Sequence, residues 1–471
     1  MMKKRRLISI SLPAITALLI FVFAGMPADP PQPKNASENY QNFCAGCHGV
    51  NLDDFVDQKW QYGKNPAKIE QIIAEGLKNE GMPGFDSVLT NDEIRALGEY
   101  ILAESKSRSI RENTIEKPED GIYGDEVKYR AEVLTDRLEI PWGIEFLPNG
   151  DLLIAERKGV LSRLTKGGEL IQIDGLPEIK VIGQGGLMDL RLHPDYAQNG
   201  WLYISFSYPA EGNERASNTQ IIRCRLDGNR LTDIQNIYKG KPAVPTNYHF
   251  GSRIAFDDEG YLYFSIGDRG RREVFPQKLD NSNGKVHRLH DDGSIPADNP
   301  FYDKKGAEKS IFSYGHRNIQ GMDRHPVSGE IWTHEHGPRG GDEINIVQPG
   351  RNYGWPVISF GINYDGTTFT NDTARAGMEQ PLTYWVPSIA PCGMAFITSD
   401  RYGDWKNDLL IGSLRFGYLE RCIIEDKEVK GHDRLLEGIG RVREVKVSPD
   451  GYIYVGVENP GRILKLVPVN E

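Results

Sequence analysis

Hydrophobic positions along the chain follow two different periods, and the change from one to the other divides it. From about residue 33 to 104 the spacing is helical. Ala36-Ser-Glu-Asn-Tyr-Gln-Asn-Phe43 reads as a short helix, and Ile69, Ile72, Ile73 and Leu77 recur at intervals of three and four after Pro66. Thr90 followed by Glu93 forms a capping box. The helix it starts carries Ile94, Leu97, Ile101 and Leu102 on one face. The stretch 105–121 is charged and aperiodic, which predicts a linker over 105–125.

From residue 126 to 471 the period becomes two. An alternating strand, a turn drawn from Pro, Asp, Asn and Gly, and a second alternating strand recur six times. The first case is Trp142-Gly-Ile-Glu-Phe-Leu-Pro-Asn-Gly-Asp-Leu-Leu-Ile154. The others lie at 187–206, 253–264, 322–334, 393–412 and 445–455. Six hairpins at roughly 57 residues each approach the size of propeller blades once loops are counted. The expected fold is an all-β six-bladed propeller preceded by a small all-α domain.

Composition changes this picture little. The 471 residues are 39% hydrophobic and 26% charged, with 51 Gly and 28 Pro, as in turn-rich globular chains of more than one domain. A net charge of −10 and the lack of a Lys/Arg stripe argue against a nucleic-acid partner. The N-terminus adds a location. Lys3, Lys4, Arg5 and Arg6 precede an apolar run over 7–26, so residues 1–32 read as a signal peptide or a retained membrane anchor. Either one places the rest outside the cytoplasm, in the periplasm or an equivalent compartment. There, Cys224, Cys392 and Cys422 fit one disulfide plus a free thiol, or three buried thiols.

Cys44-Ala-Gly-Cys47-His48 supplies the first chemistry. Two thiols three apart let one helical turn bind both vinyl groups of a haem, and the next imidazole takes the iron. This makes 33–104 a cytochrome c domain. Met82, in Gly81-Met82-Pro83-Gly84, is the expected sixth ligand; its loop resembles the Gly-Met-Pro loop of class I cytochromes c. A thioether opposite imidazole raises the potential and suits electron transfer rather than oxygen binding.

The second chemistry is scattered through the loops of the propeller. Gln184, His249, Asp268, Arg317, Asn318 and Gln320 stand out, as does the run Glu335-His-Gly-Pro-Arg-Gly-Gly-Asp-Glu-Ile-Asn345 with Asn352-Tyr-Gly-Trp-Pro356 after it. Arg441 and Arg443 precede the last hairpin. Arginines suit a polyanionic ligand, a loop of free carbonyls and carboxylates suits Ca²⁺, and a His oriented by an Asp suits a general base. Each has a plainer reading as a structural histidine or a solvated ion pair. His334 and His336 share one side of a strand and could hold zinc, although no third soft ligand stands beside them.

On these motifs, residues from about 130 to 468 closely resemble the pyrroloquinoline-quinone-dependent aldose sugar dehydrogenases, relatives of the soluble glucose dehydrogenase. The resemblance implies His249 as catalytic base supported by Asp268, with Gln184, Arg317, Asn318, Arg441 and Arg443 against quinone or substrate. It also implies a catalytic Ca²⁺ on the carbonyls of Gly337 and Pro338, and a structural Ca²⁺ at Glu343 and Tyr353. The sequence departs from the family at Arg415, where the family has a lysine near the quinone carboxylates. It departs again at Tyr248, where the soluble glucose dehydrogenase is acidic. The implied activity is oxidation of an aldose sugar at C1 to a lactone. Electrons would then pass to the chain's own haem c, expected over the funnel mouth, and on to an external acceptor such as a cytochrome or respiratory chain component. A Ca²⁺-dependent lactonase-type propeller would explain the carbonyl loop but leave the haem without a purpose. A non-catalytic, haem-tethered carbohydrate-binding propeller would leave His249 and Asp268 without one.

Overall fold

Each of the six expected hairpins forms the first two strands of an antiparallel sheet in the computed structural model, four-stranded in five blades and five-stranded in the sixth. The structure describes residues 35–50, 52, 55, 60, 62–112, 122–124, 127–458 and 461–469. The expected leader or anchor at 1–32 lies outside these residues. The sheets cover 141–173, 187–239, 254–314, 319–385, 391–435 and 441–468. The first strand of each blade abuts the first strand of the next, all the way round to the start. The ring is closed by Tyr129–Leu138, which pairs antiparallel with Gly461–Pro468 and sets Ala131 opposite Leu466 and Val133 opposite Leu464.

The hydrophobic core is correspondingly divided among the blades. In Leu152–Glu156, Leu153 and Ala155 pack toward the second blade, while Leu152 and Ile154 pack toward the sixth. In the third blade, Ile254 and Phe264 face one neighbour, and Ala255 and Tyr263 the other. Both faces of each inner strand are therefore buried, and the period of two sorts side chains between two interfaces rather than between core and water. Cys224, Cys392 and Cys422 are buried free thiols, so the three-thiol alternative is the one observed.

The helical segment has its own core of Tyr40, Leu52, Ile69, Ile73, Phe85, Leu89, Ile94, Leu97 and Ile101. Helix Pro66–Glu75 is capped by the Asn65 side chain, which accepts from the Lys68 amide, and has Pro66 in its first turn. The Thr90–Glu93 box forms reciprocally: Thr90 N donates to Glu93 Oε2 at 2.9 Å and Glu93 N to Thr90 Oγ1 at 3.3 Å. The helix it starts corrects the expected linker boundary at 105, because it runs from Asn91 to Glu112. Charged Lys, Arg and Glu are good helix formers and extend a helix that has already been nucleated, with no apolar stripe required. Of the rest of the expected linker, 113–121 and 125 lie outside the described residues, while Ile122–Tyr123 form a short strand that pairs antiparallel with Tyr129–Leu138 and so belong to the sixth sheet rather than to a linker.

Candidate active site and haem centre

The expected base and its orienter are in contact. His249 Nδ1 lies 2.7 Å from Asp268 Oδ1. Asp268 lies two residues past Leu262–Ile266, an inner strand of the third blade, and three further groups fix its carboxylate or backbone. Gly270 N donates to Oδ1 at 2.8 Å, the Trp355 indole N–H donates to Oδ2 at 2.8 Å, and Asp268 N donates to Arg317 O at 2.8 Å. Burial alone would raise the Asp268 pKa, but His249, Arg317 and the indole outweigh it and hold the carboxyl below its usual range. Burial, with the Arg317 charge behind it, pushes His249 down to about 4, so its imidazole is neutral near pH 7. With Nδ1 turned to the carboxylate, Nε2 is the basic nitrogen left for a ligand. His249 itself sits at φ +57° and is held there by Gln184 Oε1, which accepts from its amide at 2.8 Å. A histidine in the left-handed region is strained, a device typical of functional positions.

Glu335 plays the same positioning part for Arg317 and Asn318. Its carboxylate accepts from both backbone amides, at 2.5 and 3.3 Å, and pairs with His316 Nδ1 at 3.0 Å. Asn318 Oδ1 accepts from Gly251 N, beside the base. On the sixth blade, buried Glu458 holds Arg441 Nε at 3.2 Å and Arg443 at 2.7 Å. Both His334 and His336 are spent on main-chain carbonyls, His334 Nε2 at 2.9 Å from Gly393 O and His336 Nε2 at 2.8 Å from Pro391 O. Among the described residues no group of three His, Cys, Asp or Glu side chains could hold a metal, so His334 and His336 have no third ligand beside them.

The haem-type motif lies on the short helix Ala45–His48, which follows Cys44. Opposite it, Leu77 and Met82 exchange backbone bonds at 2.8 and 3.2 Å and tighten the loop between them. Gly76 and Gly84 let that loop cross the preceding helix end. A Cβ on Gly76 would lie 2.4 Å from the Pro83 carbonyl carbon, and one on Gly84 2.5 Å from Ala74 O. Two thiols, an imidazole and a thioether thus converge on one space.

That space continues into the propeller. A single cavity of about 610 Å³ is lined on one side by Cys44, Cys47, His48 and Met82, and on the other by Gln184, His249, Asp268, Arg317, Asn318, Gly337, Pro338, Arg441 and Arg443. The two halves are joined across it. Asn247 N donates to Asn79 O at 2.7 Å and Val50 N to Arg415 O at 3.1 Å. Arg441 donates to Cys47 O at 3.2 Å, Arg415 to Gln41 O at 3.4 Å, and Arg339 stands 5.1 Å over the Phe43 ring. Residues 35–471 form one compact unit.

These donors match known proteins in two blocks. Residues 138–465 match the family model of glucose / sorbosone dehydrogenases, and residues 31–101 match that of the cbb3-type cytochrome c oxidase subunit III. The chain belongs to the glucose/sorbosone dehydrogenase family. Aldose sugar dehydrogenase YliI of Escherichia coli is 41% identical over 72% of this chain and 93% of its own length. Quinoprotein glucose dehydrogenase B of Acinetobacter calcoaceticus is 27% identical over 72% and 87%. The E. coli apo-form aldose sugar dehydrogenase superposes with a TM-score of 0.69 at 40% identity, over 72% of this chain and 99% of that one. The PQQ-bound aldose sugar dehydrogenase of Streptomyces coelicolor superposes with a TM-score of 0.59 at 27% identity, over 72% and 98%. None of these four matches extends over much more than the propeller's share of the chain.

Within that family frame, the residues expected at the site divide. All but Arg415, Glu343 and Tyr353 line the shared cavity. Arg415 instead bridges Ser388 O and Gln41 O. Glu343 stands opposite Glu335 in register, and burial beside that second carboxylate pushes it up to about 8. Tyr353 stacks on His316 at 4.6 Å and donates to Ile346 O. Sequence reasoning quoted Trp355 within a motif but missed its bond to Asp268. It also missed Tyr364, which lines the cavity and pairs with Arg317.

Proposed function

We propose that the protein is an exported quinohaemoprotein that oxidises aldose sugars at C1 to lactones, using pyrroloquinoline quinone and Ca²⁺, and delivers the electrons to its own haem c. One observation carries this reading: the His249–Asp268 pair and the Cys44–Cys47–His48–Met82 set line the same cavity.

The residues present fit the three groups. Arg443 Nε is a buried donor with no partner among the described residues, as a polyanionic ligand would require of a guanidinium aimed at it. Arg317, Arg441, Arg443, Gln184 and Asn318 would hold the quinone. The carbonyls of Gly337 and Pro338 would hold the catalytic Ca²⁺, a hard cation suited to oxygen donors. The Glu335–Glu343 pair, whose neighbouring buried carboxyls resist ionising together, suits a second cation with Tyr353. Cys44 and Cys47 would hold the haem covalently, with His48 and Met82 on iron. When bound, the quinone supplies a hydride acceptor, Ca²⁺ a Lewis acid and the haem a one-electron acceptor.

The chain's own part is proton handling and orientation. Neutral His249 takes the proton of the anomeric hydroxyl at Nε2, and Asp268 stabilises the imidazolium that results. Trp355 and Gly270 keep Asp268 charged and fixed in direction. Arg317, clamped through Glu335, stabilises negative charge that develops on the substrate side of the cavity.

The test uses the full chain, oxidised and loaded with quinone and Ca²⁺. Aldose should reduce its haem without a mediator, at a rate independent of protein concentration. A rate that scales with concentration would move the transfer between molecules. Sugar oxidation by chelated, quinone-free protein would end the cofactor reading.

A further inference from the structure

The two halves of the cavity meet closely at Tyr248. Its ring lies edge-on to the His249 imidazole, with centroids 4.7 Å apart and planes at 89°. On the other side it meets Gly81, the neighbour of Met82. A Cβ built on Gly81 would stand 3.0 Å from Tyr248 Cγ and Cδ1. The far end of the ring is equally confined, because a Cβ on Gly270 would come within 2.4 Å of Tyr248 Cζ and Oη. The ring therefore occupies a slot between two glycines, one from each domain. Its backbone is fixed as well. Asn247 N, one residue before, donates across the boundary to Asn79 O at 2.7 Å, and Tyr248 O accepts from the buried Arg269 guanidinium.

We infer that Tyr248 is the bridge through which electrons cross from the quinone site to the haem. This rests on the reading that the quinone passes its electrons to the haem of the same chain. Electron tunnelling weakens steeply with the gap to be crossed and less steeply through packed atoms than through a void. The path Met82–Gly81, ring of Tyr248, His249 is covalent except where close-packed rings and backbone touch. Each passage moves one electron from the reduced quinone to ferric iron, which becomes ferrous. Two passages are needed, with the iron reoxidised between them by an external one-electron acceptor such as a ferric cytochrome. Two protons leave to solvent, and the quinone is again oxidised. The ring itself is not consumed: burial, with Asp268 nearby, raises its hydroxyl pKa and keeps it protonated.

The opposite wall explains why this position suits a bridge. Gly81 has φ +84°, so it is both the residue this tight loop requires and the one that leaves room for the ring. The other contacts named across the boundary differ in kind: Arg441 on Cys47 O and Arg415 on Gln41 O are long flexible side chains on carbonyls, Val50 N on Arg415 O is a single backbone bond, and Arg339 lies over the Phe43 ring, so none of them sets a ring edge-on to a ring of the propeller site.

The test compares Tyr248→Phe, which keeps the ring, with Tyr248→Ala, which removes it. Single-turnover mixing with aldose should follow the quinone and the haem at their own absorbances, so that slowing at the neighbouring base is measured separately from the electron step. Tyr248→Phe should transfer like wild type. In Tyr248→Ala, which opens a void that no atom spans, the quinone-to-haem step should slow about tenfold or more. Two measurements on quinone-free protein accompany these. The haem midpoint potential should be unchanged, and hydrogen exchange at the Asn247 amide should stay as protected as in wild type, showing the domains still docked. Wild-type transfer in Tyr248→Ala overturns the bridge, and so does a Tyr248→Phe variant as slow as Tyr248→Ala. Loss of Asn247 protection in Tyr248→Ala would make Tyr248 a docking residue and overturn the bridge as well. A wild-type chain whose haem is not reduced in single turnover would overturn the function reading itself.

Discussion

The two halves of the cavity are built in opposite ways. In the cytochrome c domain the two attachment cysteines and His48 are consecutive or nearly so, and Met82 is held by a local loop whose crossing glycines, Gly76 and Gly84, lie nearby in sequence. In the propeller the site gathers Gln184, His249 and Arg317 from loops that lead into the innermost strands of successive blades, Asp268 from just past Leu262–Ile266, and Arg443 from within Arg441–Val447. Local construction makes a site that stands or falls with a few atoms. Distributed construction makes one whose parts can be removed singly, each with a graded cost.

The largest effect expected is therefore on the local side. Replacing Cys44 and Cys47 by serine removes both thioether bonds, and denatured protein treated with acid acetone should lose all its haem, where wild type keeps it. Haem retained by the double variant would mean that the attachment lies elsewhere. The distributed side predicts a graded loss. His249→Ala should slow reduction of the quinone by roughly 10² to 10⁴, the weight of one general base. It should still bind quinone, because the arginines that would hold it are separately anchored on Glu458 and Glu335. Unchanged single-turnover rates at saturating sugar would remove His249 from the mechanism.

The same contrast decides what the sequence reveals. The haem-type motif is legible because its meaning lies in spacing along the chain. The six inner hairpins are legible because both faces of their strands are buried, and because three of their turns carry Asn-Gly or Asp-Gly, at 149–150, 199–200 and 450–451. The outer strands are not. Arg230–Lys239 and Glu428–Leu435 are largely exposed and polar, so they lack the apolar signal of a core strand. Ring closure by Tyr129–Leu138 on Gly461–Pro468 pairs residues from the two ends of the domain, which no local pattern marks. The bond from Trp355 to Asp268 is invisible for the same reason. Docking of the two domains leaves still less trace, because its bonds from Asn247 and Val50 are made by backbone atoms, which every residue except proline possesses.

An intermediate effect is expected at Met82. Met82→Ala should leave the haem attached, since the thioethers are untouched, and should lower its reduction potential and change its spectrum. It sharpens the comparison by separating tuning from attachment within one local site. An unchanged spectrum would assign the sixth position to another group.

The smallest effect belongs to the distributed side and concerns pH. His249 must be neutral to accept a proton, and burial holds its pKa at about 4. The single-turnover rate should therefore be flat through neutrality and fall only as pH drops toward 4, where the imidazole is protonated in advance. An exposed histidine would lose activity near its ordinary value of about 6.5. Trp355→Phe moves that limb in a definite direction. Without the indole N–H on Oδ2, the Asp268 charge is less satisfied and attracts the His249 imidazolium more strongly. The His249 pKa then rises, and the acid limb shifts upward by up to roughly one pH unit, the equivalent of one hydrogen bond of about 0.5–1.5 kcal/mol. The rate on the plateau should change little, because the base is already neutral there and Gly270 N still orients the carboxylate. A wild-type limb near 6.5 would mean that the base is not the buried histidine. A limb that stays in place in Trp355→Phe would mean that Asp268 orients His249 without tuning it.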